Sequence, residues 1–234
     1  MAADDRPRIL YADSGPEPPY PLRMEGTVIS GFGRGSKELG IPTANLPVDS
    51  VAAPWIASAK SGVYFGYAAL ALPSSHPDRQ DTSDAPNQTR EPRHRSNPRA
   101  AADAPPASHP PPPTTTSSAN STATPTASQK RWQIYPMVMS IGYNPFYKNS
   151  VRSAEVHVLR EFGADFYDAP MRLLILGFVR EERDYASLEA LITDINVDCE
   201  VARQSLARPA WTPREGTADG VTGEFDGSWL VRES

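Results

Sequence analysis

A glycine-rich segment is the first part of the chain whose residue types could do chemistry. Residues 31–37 read Gly-Phe-Gly-Arg-Gly-Ser-Lys, so the backbone can approach a phosphate closely and Lys37 adds a positive charge. The segment matches neither common phosphate-binding pattern. The Walker A pattern has glycine immediately before its lysine, where this chain has Ser36. Ser36 also occupies the position of the third glycine in the G-x-G-x-x-G pattern. Two interpretations of this segment therefore remain, an ordinary tight loop and a phosphate-binding loop.

Two neutral oxygen donors follow closely. Thr43 and Asn45 lie two residues apart, just after Pro42, which stiffens the turn. A hydroxyl and an amide oxygen suit a hard cation such as Mg²⁺ when the phosphates of a substrate supply the negative charge. The alternative is that both side chains bond only to the backbone of their own turn.

Glu155 is the candidate for proton transfer. In residues 153–159 a two-residue period places Glu155 and His157 on one face of a strand and two valines on the other. A carboxylate that faces a polar pocket can accept a proton from an attacking hydroxyl group, whereas one on a solvent-facing edge has no such role. His157 is predicted to be a hydrogen-bonded structural histidine and not a catalyst.

Short strands are the elements that must position these residues. Alternating, aromatic or β-branched runs separated by Gly, Pro, Asn and Asp predict strands. The runs cover residues 23–30, 62–72, 132–141, 154–162 and 171–179. Five or six short strands without intervening helices favour a mainly β fold, an antiparallel barrel or sandwich, over a βαβ fold.

One helix is predicted after the last strand. Ser187 is placed to cap its start, and the apolar residues that follow recur with the 3.6-residue period of a helix. These are Leu188, Leu191, Ile192, Ile195, Cys199, Ala202 and Leu206. The apolar stripe should lie against the outside of the barrel, which makes Cys199 a packed core thiol.

A long segment between the second and third predicted strands has no large apolar side chains with which to form a core. Residues 74–130 contain no Ile, Leu, Val, Met, Phe, Tyr or Trp, so nothing offsets the entropy of ordering them. We expect a flexible N-terminal segment at 1–20, a barrel domain at 21–207 with a disordered Pro/Ser/Thr-rich insert at 73–131, and an irregular tail at 208–234. An interaction module is the alternative for the insert.

Charge and composition exclude several classes of function. The chain has 23 basic and 28 acidic residues and no basic stripe with interleaved aromatic residues, which argues against a nucleic-acid groove. No apolar stretch approaches the roughly 20 residues needed to span a membrane. A single cysteine favours a reducing compartment. We therefore expect a monomeric cytoplasmic protein, with mitochondrial or other organelle association left open.

Taken in order, these segments resemble the riboflavin kinase family, in particular its monofunctional eukaryotic form of the fungal type. The resemblance covers nearly all of residues 21–206 except the insert, and the Pro-Thr-Ala-Asn sequence at 42–45 is its most specific motif. The matching stretches are residues 26–37, 39–46, 61–66, 140–149, 155–157, 165–167 and 177–180.

The resemblance implies a six-stranded antiparallel, Greek-key-like barrel with a C-terminal helix that transfers the ATP γ-phosphate to riboflavin, giving FMN and ADP. It implies Gly31 and Lys37 in the phosphate loop, Thr43 and Asn45 on Mg²⁺ or another divalent cation such as Zn²⁺, and Glu155 as the base. It further implies Val158, Arg160 and Tyr167 near the nucleotide, and Arg180, Arg183 and Tyr185 beside the flavin. Glu181 departs from the family, which usually has proline there.

Two other functions compete with this one. Bifunctional relatives carry a second domain that makes FAD, but none of the four histidines here forms a His-x-x-His or His-x-Gly-His pair. A non-catalytic flavin- or nucleotide-binding barrel is the other reading. A protein that only binds its ligand has no need of a base, so the presence of Glu155 together with Thr43 and Asn45 argues against it.

Overall fold

Six strands and two α-helices make up the part of the chain that the computed structural model describes, residues 6–30, 40–80, 132–143 and 152–233. A short 3-10 helix, Pro54–Ala57, precedes the third strand. The strands are β1 Leu22–Thr27, β2 Ala44–Leu46, β3 Gly62–Leu70, β4 Gln133–Tyr143, β5 Arg152–Val158 and β6 Pro170–Glu181, and the helices are α1 Leu188–Leu206 and α2 Ser228–Val231.

All strand pairs are antiparallel, and the sheet order is β1-β6-β3-β4-β5-β2. The two edge strands of this order approach each other, because the amide of Ile29, just after β1, donates to the carbonyl of Asn45 in β2 at 2.9 Å. The predicted mainly β fold with six antiparallel strands and a C-terminal helix is confirmed. The sequence patterns did not indicate β2, because three residues are too few to show an alternation.

Both faces of the central strands are covered, which explains why these strands read as nearly continuous apolar runs. One face lines the interior of the barrel, where Tyr64, Met139 and Val156 are buried. The opposite face of β3, β4 and β6 packs under α1 and the C-terminal tail, with Phe65 and Trp211 both fully buried there. The tail is irregular up to α2, and its Trp211 belongs to the core.

Helix α1 begins and ends where the sequence predicts. The hydroxyl of Ser187 accepts from the amide of Ala190 at 3.2 Å, as an N-cap residue should. Cys199 is buried against the strands, and this burial raises the pKa of its thiol to about 11. The thiol is therefore protonated at neutral pH and packs as a small apolar group. No helix in the described ranges is long and apolar enough to cross a bilayer.

The sequence predicts a flexible segment at 1–20, and the described part of it, residues 6–20, makes hydrogen bonds to α1 and the tail. The amide of Leu10 donates to the hydroxyl of Ser205 at 3.0 Å, and the guanidinium of Arg208 donates to the carbonyl of Leu10 at 2.6 Å. The indole of Trp211 donates to the carbonyl of Ala12 at 2.9 Å. Side chains of α1 and the tail thus satisfy this backbone, and no local pattern in the sequence signals such distant partners.

Residues 73–80, at one edge of the predicted disordered insert, contact the barrel. His76 is buried, and its ring lies 3.2 Å from the carbonyl of Ala164. The amide of Gln80 donates to the side chain of Gln133 at 3.2 Å, so the chain leaves the barrel close to where it returns. Polar hydrogen bonds order residues 73–80 without any aliphatic side chain. Residues 81–131 lie outside the described ranges.

Replacing residues 81–131 with a four-residue Gly/Ser linker is expected to leave the barrel folded and equally stable or more stable by up to about 2 kcal/mol. The reason is that loop-closure entropy falls by about 0.6 kcal/mol with each halving of loop length, and the closing residues Gln80 and Gln133 are already in contact. Urea unfolding measures the difference. A Gly/Ser replacement of the original length is the control for length, and a cooperative transition lost in both variants would contradict the expectation.

Candidate active site

The strand register brings candidate residues from distant parts of the sequence into one row. Asn45 pairs with Glu155, Glu155 with Ser140, Ser140 with Val63, and Val63 with Arg180. Neighbouring strands lie about 4.8 Å apart, so the row spans roughly 19 Å from Asn45 to Arg180. We call these five residues the outer row.

The outer row faces away from the barrel interior. Ala154 and Val156, the sequence neighbours of Glu155, are buried in the interior cluster, as are Ala44 and Leu46 on either side of Asn45. Since successive side chains of a strand point to opposite faces, Glu155 and Asn45 point outward. Directly opposite residues have Cβ atoms about 4.5–5.5 Å apart. The candidate base and a candidate metal ligand are therefore neighbours, and both are half-buried.

A β-bulge places Arg180 on this face. Phe178 lies two residues earlier and packs in the interior against Tyr64, so unbroken alternation would send Arg180 inward as well. The register between β3 and β6 shifts between Val63 and Tyr64, and a bulge of this kind re-aims the side chain that follows it. Arg180 consequently meets α1 on the outside of the barrel.

The guanidinium of Arg180 is occupied by acidic residues of α1. Its Nε lies 3.0 Å from both carboxylate oxygens of Asp198, and its Nη2 donates to Oδ2 at 2.6 Å. Asp194 also takes part, since its Oδ2 lies 3.2 Å from Nε of Arg180. The hydroxyl of Tyr185 donates to the same carboxylate at 2.5 Å, and Arg183 lies 3.6 Å from it. Arg180 is buried, while about half of the Arg183 side chain is exposed. Of the three residues expected beside the flavin, Arg183 presents the most accessible charge.

Thr43 and His157 extend the site at its other end. Thr43 is half-buried and lies two residues before Asn45. The Nδ1 atom of His157 lies 2.8 Å from the carbonyl of Pro42. Burial lowers the pKa of this histidine, the hydrogen bond to Pro42 raises it, and the charge of Arg203 on α1 lowers it further. His157 is hydrogen-bonded, as predicted.

The residues expected near the nucleotide do not join the outer row. Val158 packs in the interior cluster, on the face opposite Glu155. Arg160 donates to Asp219 of the tail at 2.6 Å, and Tyr167 is 45% exposed on the loop after β5. Their contact with a nucleotide stays a prediction, and Gly31 and Lys37 lie outside the described ranges.

A model of the family described as "Flavokinase: Riboflavin kinase" matches residues 18–206. The chain belongs to this family. It is 60% identical over 234 residues to a riboflavin kinase of Neurospora crassa, covering 98% of each chain. It is 52% identical over 236 residues to a riboflavin kinase of Pyricularia oryzae, covering 98% of this chain and 96% of the relative. A solved riboflavin kinase from Trypanosoma brucei aligns with a TM-score of 0.48 at 21% identity, covering 82% of this chain and 84% of that one.

Two members of the outer row were missed as site residues, although both lie in stretches that resemble the riboflavin kinase family. Ser140 and Val63 separate Glu155 from Arg180 and are both half-buried. Neither residue type signals chemistry, so only their place between two functional candidates identifies them. They lie between the candidate base and Arg180 on the outward face of the sheet.

A cavity of about 370 Å³ is a further feature that the sequence did not indicate. It opens at one end of the barrel, and its lining includes the rings of Tyr20, Trp55, Tyr64 and Phe178. Lys60 stands at this cavity and forms a 3.8 Å ion pair with Glu181, the residue that departs from the riboflavin kinase pattern. Because Tyr64 and Phe178 face the interior, the cavity lies on the other side of the sheet from the outer row.

Proposed function

We propose that the outer row and Thr43 form the phosphoryl-transfer site of a riboflavin kinase. Family membership establishes the reaction, phosphorylation of riboflavin to FMN with ATP as co-substrate. The observation that carries the assignment is the register of β2 and β5, which sets Asn45 opposite Glu155 on one face. Phosphoryl transfer needs a ligand for the cation that binds the phosphates and a proton acceptor in the same reaction centre. Asn45 supplies the first and Glu155 the second.

The donor set at Thr43 and Asn45 fits a divalent cation bound together with ATP. A hydroxyl and an amide supply two neutral oxygens, which leaves the negative charge to the phosphates, the arrangement usual for Mg²⁺. Among the described residues no cluster of three or more His, Cys, Asp or Glu side chains could hold a metal. When bound, Mg²⁺ supplies neutralisation of charge on the transferred phosphoryl group. We expect Mg²⁺ here, with Zn²⁺ as an alternative.

Glu155 takes the proton from the terminal ribityl hydroxyl as that oxygen attacks the γ-phosphate in line. The substrate then extends from Glu155 over Ser140 and Val63 towards Arg183 and Tyr185. An aromatic ring and an exposed guanidinium suit a flavin ring system. The rigid strands hold these groups in place before the substrate arrives, and such prealignment is the main contribution of a protein to phosphoryl transfer.

Asn45→Ala is expected to lower kcat/KM for Mg-ATP by about 10²-fold, because the variant loses one of two cation ligands. The fold should survive, since the bridge to Ile29 uses only the backbone carbonyl of Asn45. The assay follows FMN formation from riboflavin and Mg-ATP by chromatography, with EDTA and graded Mg²⁺ or Zn²⁺. Asn196→Ala, at an exposed position on α1, is the matched control.

Formation of FMN that needs a divalent cation and falls in Asn45→Ala but not in Asn196→Ala would support the proposed site. A wild-type protein that is folded and binds riboflavin but forms no FMN would overturn the catalytic assignment and favour a non-catalytic flavin-binding barrel. Full activity in Asn45→Ala would remove that residue from the site.

A further inference from the structure

The segment that carries Thr43 and Asn45 has little regular structure of its own. Strand β2 has only three residues, lies at the edge of the sheet order and pairs with β5 from Ala44 onward. Thr43 precedes the first of these pairs. Gly40 has a φ of 71°, and Pro42 has no amide hydrogen with which to extend the ladder. The ladder alone therefore does not hold the backbone at Thr43.

His157 supplies a contact at this point. Its Nδ1 atom lies 2.8 Å from the carbonyl oxygen of Pro42, one residue before Thr43. A carbonyl oxygen only accepts hydrogen bonds, so Nδ1 must carry the hydrogen. Burial lowers the pKa of His157, while the hydrogen bond to Pro42 acts in the opposite direction and raises it. The ring thus fastens the segment to β5 beyond the end of the ladder.

The same strand face carries the base. Glu155 and His157 are two residues apart in β5 and point to the same side, so a single rigid strand presents both the proton acceptor and the group that fastens the Pro42 turn. We propose that His157 is a positioning residue that holds Thr43 and Asn45 at the correct place relative to Glu155 for binding Mg-ATP. This inference rests on the proposed function of Thr43 and Asn45.

His157→Val tests the proposal, because valine suits a strand and cannot donate a hydrogen bond. We expect the KM and the Kd for Mg-ATP to rise about fivefold, the value that loss of one neutral hydrogen bond gives, while the KM for riboflavin changes by less than twofold. Hydrogen exchange in the peptide that spans residues 40–46 should become faster by a similar factor. Calorimetry with Mg-ATP and no riboflavin gives the Kd independently of turnover.

His157→Asn is the matched variant, since the amide nitrogen of asparagine reaches about the position of Nδ1 and can donate to Pro42. It should restore the Mg-ATP affinity to within about twofold of the original, whereas His157→Gln, whose nitrogen lies further out, should not. Rescue by asparagine alone separates positioning from a general packing role.

Three outcomes would overturn the proposal. Thermal stability could fall in His157→Val with the Mg-ATP Kd unchanged, the two KM values could rise equally, or the asparagine variant could behave like the valine variant. Measuring Asn45→Ala in parallel distinguishes a wrong role for His157 from a wrong function for the whole segment. If Asn45→Ala weakens Mg-ATP binding and His157→Val does not, only the role of His157 is wrong. If neither weakens it, the proposed function of the segment fails as well.

Discussion

Glu155→Gln is expected to lower kcat for FMN formation by roughly 10²–10⁴-fold, the usual contribution of a general base. The amide has nearly the same shape as the carboxylate but cannot accept the proton of the ribityl hydroxyl. Glu155 is half-buried on the outer row, and its neighbours Ala154 and Val156 make the core contacts of β5, so the fold should not change. Steady-state turnover at saturating riboflavin and Mg-ATP measures the effect.

Two measurements separate loss of the base from loss of ATP binding or of the fold. Calorimetry should give a Mg-ATP Kd within a fewfold of the unaltered protein, and thermal unfolding should give the same Tm within a few degrees. Glu161→Gln removes a carboxylate from an exposed position just after β5 and should keep full activity. A folded Glu155→Gln protein with undiminished kcat would show that another group accepts the proton.

Asp198→Ala is expected to destabilise the protein by about 3–5 kcal/mol, because it leaves the guanidinium of Arg180 buried without its main partner. The Asp198 side chain is only 2% exposed and receives three hydrogen bonds from Arg180. This pair joins α1 to the end of β6, so its loss should also loosen Arg183 and Tyr185, which follow β6 and are proposed to lie beside the flavin. Urea unfolding followed by circular dichroism measures the free energy.

The matched control is Asp219→Ala, which breaks the 2.6 Å ion pair with Arg160 where both side chains are substantially exposed. That variant should cost no more than about 1 kcal/mol. The double variant Arg180→Met/Asp198→Leu, which removes both charges, should recover much of the lost stability. If Arg180→Met alone raises the KM for riboflavin and leaves stability intact, Arg180 belongs to the flavin site and not to a structural ion pair.

Some features of this protein follow from local chemistry and were accessible from the sequence. Helix α1 is one, because a capping serine and a 3.6-residue apolar period act within a few residues of each other. The central strands are another, since runs of aromatic and β-branched residues such as 62–70 favour extended structure wherever they pack. The order of the motifs, with Pro-Thr-Ala-Asn at 42–45, was enough to identify the family.

Other features depend on pairs of residues far apart in the chain, and only the tertiary structure decided them. The N-terminal segment looked unstructured because its partners, Ser205 and Trp211, lie almost 200 positions later. Residues 73–80 looked like part of a disordered insert because hydrogen bonds, not aliphatic contacts, hold His76 and Gln80. A composition rule based on apolar side chains cannot detect order of this kind.

The candidate site itself shows the division most clearly. Residue types alone named Thr43, Asn45 and Glu155, but the sequence left open whether Glu155 faces solvent or a site and whether the three meet. The register of β2 against β5 sets Asn45 opposite Glu155 on the outward face of the sheet. A register is set by packing of whole strands, since a slip of one residue would turn every side chain to the other face. Arg180 faces outward only because a bulge in β6 interrupts the alternation that the sequence alone would predict.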